Sequence, residues 1–179
     1  RQRQMCIRDR VIKMKILVVS DTHRSEVNLE KVVAYESPID MFIHLGDIEN
    51  REMKIDAMFD VRTAVHMVQG NNDFFSSLDR EKEIMLGDHK ALITHGHLYG
   101  VSMGAEILAQ EARDRGDDIA MFGHTHRPLL TKINDVIILN PGSISYPRQA
   151  DRRASYSIIN VEEGKEIDIK IKYLDEIGS

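Results

Sequence analysis

Apolar residues in this chain come in short runs, and the runs change character partway along. ILVV at 16–19 is continuously apolar, the pattern of a strand buried on both faces. Positions 26–35 then follow a helical period, with Val27, Leu29, Val32 and Val33 supplying apolar faces, Ser25 placed as N-cap, and Ser37-Pro38 ending the helix. MFIHL at 41–45 and AVHMVQ at 64–69 read as further strands, separated by a short helix within 51–60 that turns Met53, Ile55, Ala57 and Met58 inward. Segments 83–86 and 90–94 flank a Gly87-Asp88 turn as a hairpin. The clearest helix is 103–115, where Ile107, Leu108 and Ala112 share a face and Gly116 closes the C-terminus. IAMF at 119–122 is another buried strand. From there the pattern becomes antiparallel, with strands at 129–133, 136–139, 154–161 and 166–173 and turns at Asn134-Asp135 and around Gly164. These counts predict an α/β (α+β) fold of two mixed β-sheets packed as a sandwich flanked by helices, rather than one doubly wound sheet.

Five of the apolar runs stop at residues that bind metals. Asp21 and His23 follow the first, Asp47 the second and Asn71 the third. His95 follows the run at 91–93, and His124 and His126 follow that at 119–122. Each fragment alone has a bland reading: D-x-H is too short to mean much, and G-D or G-N-N-D is usually a turn. Their common place at strand ends, within one domain-sized chain, points to one centre. Hard oxygen ligands mixed with imidazole and no thiolate suit Mn, Fe, Zn, Co or Ni. Seven ligands exceed one four-coordinate ion and suit two ions sharing a carboxylate. Such a pair can hold a hydroxide between the ions and clamp a phosphate, which is the chemistry of phosphoester hydrolysis.

Length and charge narrow the partners. The chain has 179 residues, enough for one domain. Its net charge is −5, and no basic run exceeds Arg152-Arg153, so tight binding to long nucleic acid is not expected. No apolar stretch approaches the roughly 18–20 residues of a membrane span. The only cysteine, Cys6, excludes an internal disulfide, and a cytoplasmic location is the expectation. Residues 1–13 are read as a non-native or disordered extension because RQRQMCIRDR has no periodicity. Residues 14–179 are read as one domain, with a homodimer as the default assembly.

The ordered set MKILVVSDTH, IHLGD, GNND, LITHGHLYG, FGHTHRP and LNPGS resembles the calcineurin-like metallophosphoesterases over roughly residues 14–175. Within them it is similar to the small bacterial and archaeal YfcE-type phosphodiesterases. The resemblance implies a binuclear centre, with Mn the expected ion. One metal is held by Asp21, His23, Asp47 and His126, and the other by Asp47, Asn71, His95 and His124. The nucleophile it implies is a hydroxide bridging the two, and the substrate a small phosphodiester. Asp47, Asn71, Asn72 and His97 are the expected catalytic positions.

Two departures from the larger phosphatases of that superfamily matter. They place a histidine after the asparagine ligand, where this chain has Asn72, and an aspartate where it has Asn50. The missing acid favours esters with good leaving groups, since such protonation contributes on the order of 10²–10⁴. Asn72, His97, Arg51 and Arg127 are the candidate substrate contacts, each weighed against packing or simple solvation. His44, His66 and His89 are read as non-ligands, Asn140 to Ser143 as a supporting turn, and Tyr99 as part of the mouth. The role of Arg148 is left open. The alternative function is a non-catalytic metal-binding or protein-interaction scaffold resembling the retromer subunit Vps29.

Overall fold

The computed structural model describes residues 13–178, so the expectation about the N-terminal extension lies outside the described residues apart from Lys13. Lys13 opens the first strand, β1 (Lys13–Val19), opposite Glu162. The chain continues through α1 (Val27–Glu36), β2 (Met41–His44), α2 (Glu52–Asp56) and β3 (Ala64–Met67). The hairpin β4 (Glu81–Leu86) and β5 (His89–Thr94) follows, then α3 (Glu106–Arg115) and β6 (Ile119–Met121). The strands β7 (Pro128–Ile133), β8 (Val136–Pro141), β9 (Ser155–Glu162) and β10 (Asp168–Tyr173) complete the fold.

Two five-stranded sheets result, in the orders β10-β9-β1-β2-β3 and β4-β5-β6-β8-β7. Both are mixed: β1, β2 and β3 run parallel in one sheet, and β5, β6 and β8 run parallel in the other. The antiparallel reading of the second half therefore holds for β7, β9 and β10, while β8 pairs antiparallel with β7 and parallel with β6. Sequence pattern cannot separate these, because a buried strand is apolar on both faces in either direction.

The period of two sorts the strands into layers. Ile16, Val18 and Ile43 face inward and meet Ile84, Ile93, Met121 and Leu139 from the other sheet. Leu17, Val19 and Phe42 face outward against Leu29 and Val32 of α1 and Ile55 of α2. Leu92, Ala120 and Ile138 do the same on the other side against Leu108, Ala109 and Ala112 of α3. A sandwich flanked by helices is what this alternation builds.

Local details depart from the pattern where helices are short. The helix in 51–60 is reduced to 52–56, and of the four residues expected inside only Ile55 is fully buried; Met53 is 89% exposed. One turn and a half is too little to sustain a face. The helix expected from 103 begins at Glu106, after Gly104 at φ +151°, leaving Met103 in solvent. Its buried face is Leu108, Ala109 and Ala112, with Ile107 exposed. Glu26 rather than Ser25 precedes α1, without a side-chain cap. Gly116 ends α3 in the left-handed conformation, as expected.

Candidate metal centre

Parallel strands deliver their C-terminal ends to one edge, and the loops leaving β1, β2, β3, β5 and β6 meet there. The two β-α loops of the first sheet are stitched together by Asp21 N–H to Gly46 O (3.1 Å) and His23 N–H to Asp47 O (3.0 Å). In the second sheet Gly123 N–H donates to His95 O at 3.2 Å. Asp21, His23, Asp47, His124 and His126 all have positive φ, between 44° and 63°. Such backbone is uncommon outside glycine, and its concentration on these side chains marks a site whose geometry overrides local preference.

The side chains expected as ligands converge. Ligand atoms of Asp21, His23, Asp47 and His126 lie within 4.8 Å of one another. His126 Nε2 is 3.1 Å from Asp21 Oδ1, and His23 Nε2 is 3.6 Å from Asp47 Oδ2. A second group adjoins the first, with Asn71 Oδ1 3.0 Å from His95 Nε2 and 2.8 Å from His124 Nδ1. Asp47 Oδ2 is shared, lying 3.5 Å from His95 Nε2 as well.

The imidazoles are preset for ligation. His95 Nδ1–H donates to Leu45 O and His126 Nδ1–H to Tyr146 O, both at 2.6 Å, while His23 Nδ1–H donates to Glu49 at 2.7 Å. With the proton on Nδ1 in each, Nε2 is free to ligate and is aimed inward. Both carboxylate oxygens of Asp21 are buried and accept no hydrogen bond among the described residues. An orphaned buried carboxylate is costly, and a divalent cation satisfies it, so these residues fit a metal.

His44 is a different kind of histidine. It is fully buried, accepts the Gly46 N–H on Nδ1 (3.2 Å) and bonds Thr22 Oγ1 through Nε2 (3.2 Å). Burial depresses its pKa to about 4, so it stays neutral and shapes the loop. Ser143 Oγ donates to Asp21 O (2.9 Å), and Asn140 Nδ2 donates to Gly123 O (2.9 Å), which gives the 140–143 turn its supporting role.

The expected substrate contacts divide. His97 sits beside the second group, its ring centroid 5.5 Å from that of His95 and 6.1 Å from that of His124, with a buried Nδ1 that has no partner. Arg127 is exposed in a cleft with His124. Asn72 donates from Nδ2 to Asp47 Oδ2 (2.7 Å) and from its backbone N–H to Asp47 Oδ1 (2.8 Å), which orients the shared carboxylate. Arg51 is turned to Glu26 at 3.5 Å, and Tyr99 donates to Glu81 (2.5 Å) and accepts from Arg115 (3.2 Å).

Asp73 is the residue that sequence reasoning left without a role. It is buried and accepts the backbone N–H groups of Asp47, Ile48, Glu49 and Gly70 at 2.6–2.8 Å. Its only signal was an acid in a buried-looking G-N-N-D turn, where asparagine ligation draws the eye first.

Residues 14–164 match the model of the calcineurin-like phosphoesterase superfamily domain. The chain belongs to this family. It is 30% identical over 167 residues to the probable metallophosphoesterase YsnB of Bacillus subtilis, covering 93% of this chain and 94% of that one. It is 26% identical to the phosphodiesterase YfcE of Escherichia coli, over 82% of this chain and 88% of that protein. Among solved structures, a predicted phosphoesterase from Streptococcus pneumoniae superposes with a TM-score of 0.78 at 28% identity, covering 92% and 91% of the two chains. Vacuolar protein sorting 29 from Cryptosporidium parvum superposes at 0.71 with 16% identity, over 90% and 97%, a likeness of fold alone. The protein is a metal-dependent phosphoesterase. Among the described residues no helix is long and apolar enough to cross a membrane.

Proposed function

We propose that the protein hydrolyses a small phosphodiester with two divalent ions, Mn being the expected one, held on either side of Asp47. The observation that supports this reading is the position of Asp47 Oδ2, 3.6 Å from His23 Nε2 in one group and 3.5 Å from His95 Nε2 in the other. Asp21, His23 and His126 would complete one shell, and Asn71, His95 and His124 the other. When bound, such ions supply an activated water and neutralise charge developing on the phosphate.

The chain's own groups do the positioning. Asn72 holds the Asp47 carboxylate and cannot donate a proton as an acid does. Burial lowers the His97 pKa, so this ring is neutral near pH 7 and offers a hydrogen bond rather than a proton. With no strong acid beside the leaving group, diesters with acidic leaving groups should turn over fastest. Arg127, exposed in the cleft with His124, would meet an anionic oxygen of the substrate. A protein-interaction scaffold without metal would leave the orphaned Asp21 carboxylate and the inward-facing imidazoles without a purpose, and a scaffold that binds metal without turnover is separated from the hydrolase by the assay below.

The test is purified protein with added Mn(II), assayed on an activated aryl phosphodiester beside the matching monoester. Turnover of the diester that is lost in Asp47→Ala is the expected result. Intact esters with every divalent ion tried would sink the hydrolase, and a strong preference for the monoester would overturn the diester assignment.

A further inference from the structure

Three arginines that line the clefts beside the site, Arg127, Arg148 and Arg152, have no ion-pair partner among the described residues. Most arginines elsewhere are engaged: Arg24 with Glu49, Arg62 with Asp60, Arg115 with Glu81, and Arg153 with Asp175 and Glu176. Arg127, Arg148 and Arg152 form no ion pair or side-chain hydrogen bond among the described residues, in a chain whose 29 acids outnumber its 24 lysines and arginines. An acidic protein that leaves three guanidinium groups unpaired around one site keeps that edge open to anions.

Their placement is specific. A cleft of about 610 Å³ opens beside the first ligand group, lined by His23, His126, Ser145, Tyr146, Arg148 and Arg152. Arg148 also lines the cleft of about 560 Å³ that contains His124 and Arg127. Arg148 therefore borders the spaces on either side of the centre. The backbone fixes it there: Arg148 N–H donates to His126 O (3.1 Å), and Tyr146 O accepts from the same histidine's ring. Arg152 is presented by a turn in which its N–H bonds Gln149 O (3.1 Å) and its own φ is +50°, a conformation arginine rarely adopts.

We propose that the cleft beside His23 and His126 binds a second, terminal phosphate on the substrate, gripped by Arg148 and Arg152. The metals would take the diester to be cut, and the arginines a phosphomonoester on one of its arms. Guanidinium groups suit this task because they meet phosphate oxygens in a planar fork and stay charged at any working pH. This deepens the hydrolase reading by naming the substrate class, and it rests on that reading only for which bond is broken.

A matched chromogenic pair tests it: the 5′-(4-nitrophenyl phosphate) of thymidine, with and without a 3′-phosphate. On the Mn-loaded enzyme the 3′-phosphorylated ester should have a KM lower on the order of tenfold, the worth of one charge-assisted contact. The gap should close in Arg148→Ala and Arg152→Ala, persist in part in the lysine variants, and shrink with added salt. A binding arm runs without turnover, comparing thymidine 3′,5′-bisphosphate with thymidine 5′-monophosphate by calorimetry on the same proteins. Equal KM values and equal affinities in the wild type overturn the subsite and leave the hydrolase standing. Tighter binding of the bisphosphate, with neither ester cleaved, keeps the subsite and removes the hydrolase.

Discussion

Asp73 Oδ2 accepts the Asp47 N–H at 2.8 Å and the Gly70 N–H at 2.7 Å, tying the loop after β2 to the loop after β3. Its other oxygen takes Ile48 and Glu49. One carboxylate thus fixes the backbone that presents Asp47, without itself facing the metal positions. Asp73→Ala leaves four buried donors to find new partners, and the metal affinity should fall 10–100-fold, the range for groups that orient ligands. Calorimetric Mn titration checks this, and an unchanged affinity would reduce Asp73 to a local fold element.

Metal stoichiometry separates the two ligand groups. Wild-type protein should bind two Mn ions, Asn71→Ala one, and Asp47→Ala neither tightly. Chelation should lower the melting temperature, since an ion at 100 times its Kd stabilises by about 2.7 kcal/mol. A single equivalent in the wild type would contradict the shared role of Asp47.

Two glycines with positive φ should respond differently to alanine. At Gly46 (φ +97°) a Cβ would lie 2.7 Å from Gly70 N and 2.8 Å from His95 Nδ1, whereas at Gly116 (φ +76°) nothing lies within 4 Å. Gly116→Ala should cost roughly 1–2 kcal/mol, the strain of the left-handed conformation. Gly46→Ala adds displacement of the loop bearing Asp47, so it should lose metal binding too. Equal urea midpoints and intact metal binding in both would refute the crowding.

Glu36 provides a pH signature away from the site. It is buried at the end of α1 and meets Lys15 Nζ (2.7 Å), Lys172 Nζ (2.6 Å) and the Tyr156 hydroxyl (2.8 Å). Burial raises its pKa, but the two lysines and the tyrosine outweigh that and leave it below the ordinary 4.5. A depressed carboxyl stabilises the fold above its unfolded pKa, and that stability is lost as pH falls through the folded value. Glu36→Gln should therefore cost about 1–3 kcal/mol at pH 7. The gap to wild type should narrow progressively below pH 4.5, read by urea denaturation with chelator present. A constant gap would show that charge is not the cause.

Much of the centre was legible because each ligand directly ends an apolar strand. Asp21, Asp47, Asn71, His95 and His124 needed only that local rule, and the parallel strands do the gathering. Arg51 shows what adjacency in sequence leaves out. Its place after the Asp47 loop suggested the site, but its guanidinium answers to Glu26, 25 positions earlier and visible only in three dimensions. Tyr99 likewise follows the His95 loop in sequence yet is claimed by Glu81 and Arg115.

The candidate ligands and the two-sheet architecture were both readable from the chain's local pattern. Apolar runs of strand length and their polar stops are local facts, and hydrophobic burial acts on them whatever the topology. Three features needed the folded chain: the direction of β8, the service of Asp73 to four backbone donors, and the lack of an ion pair at Arg148 and Arg152 among the described residues. Hydrogen-bond satisfaction and charge pairing are settled between segments distant in the chain, so no run of adjacent residues can announce them.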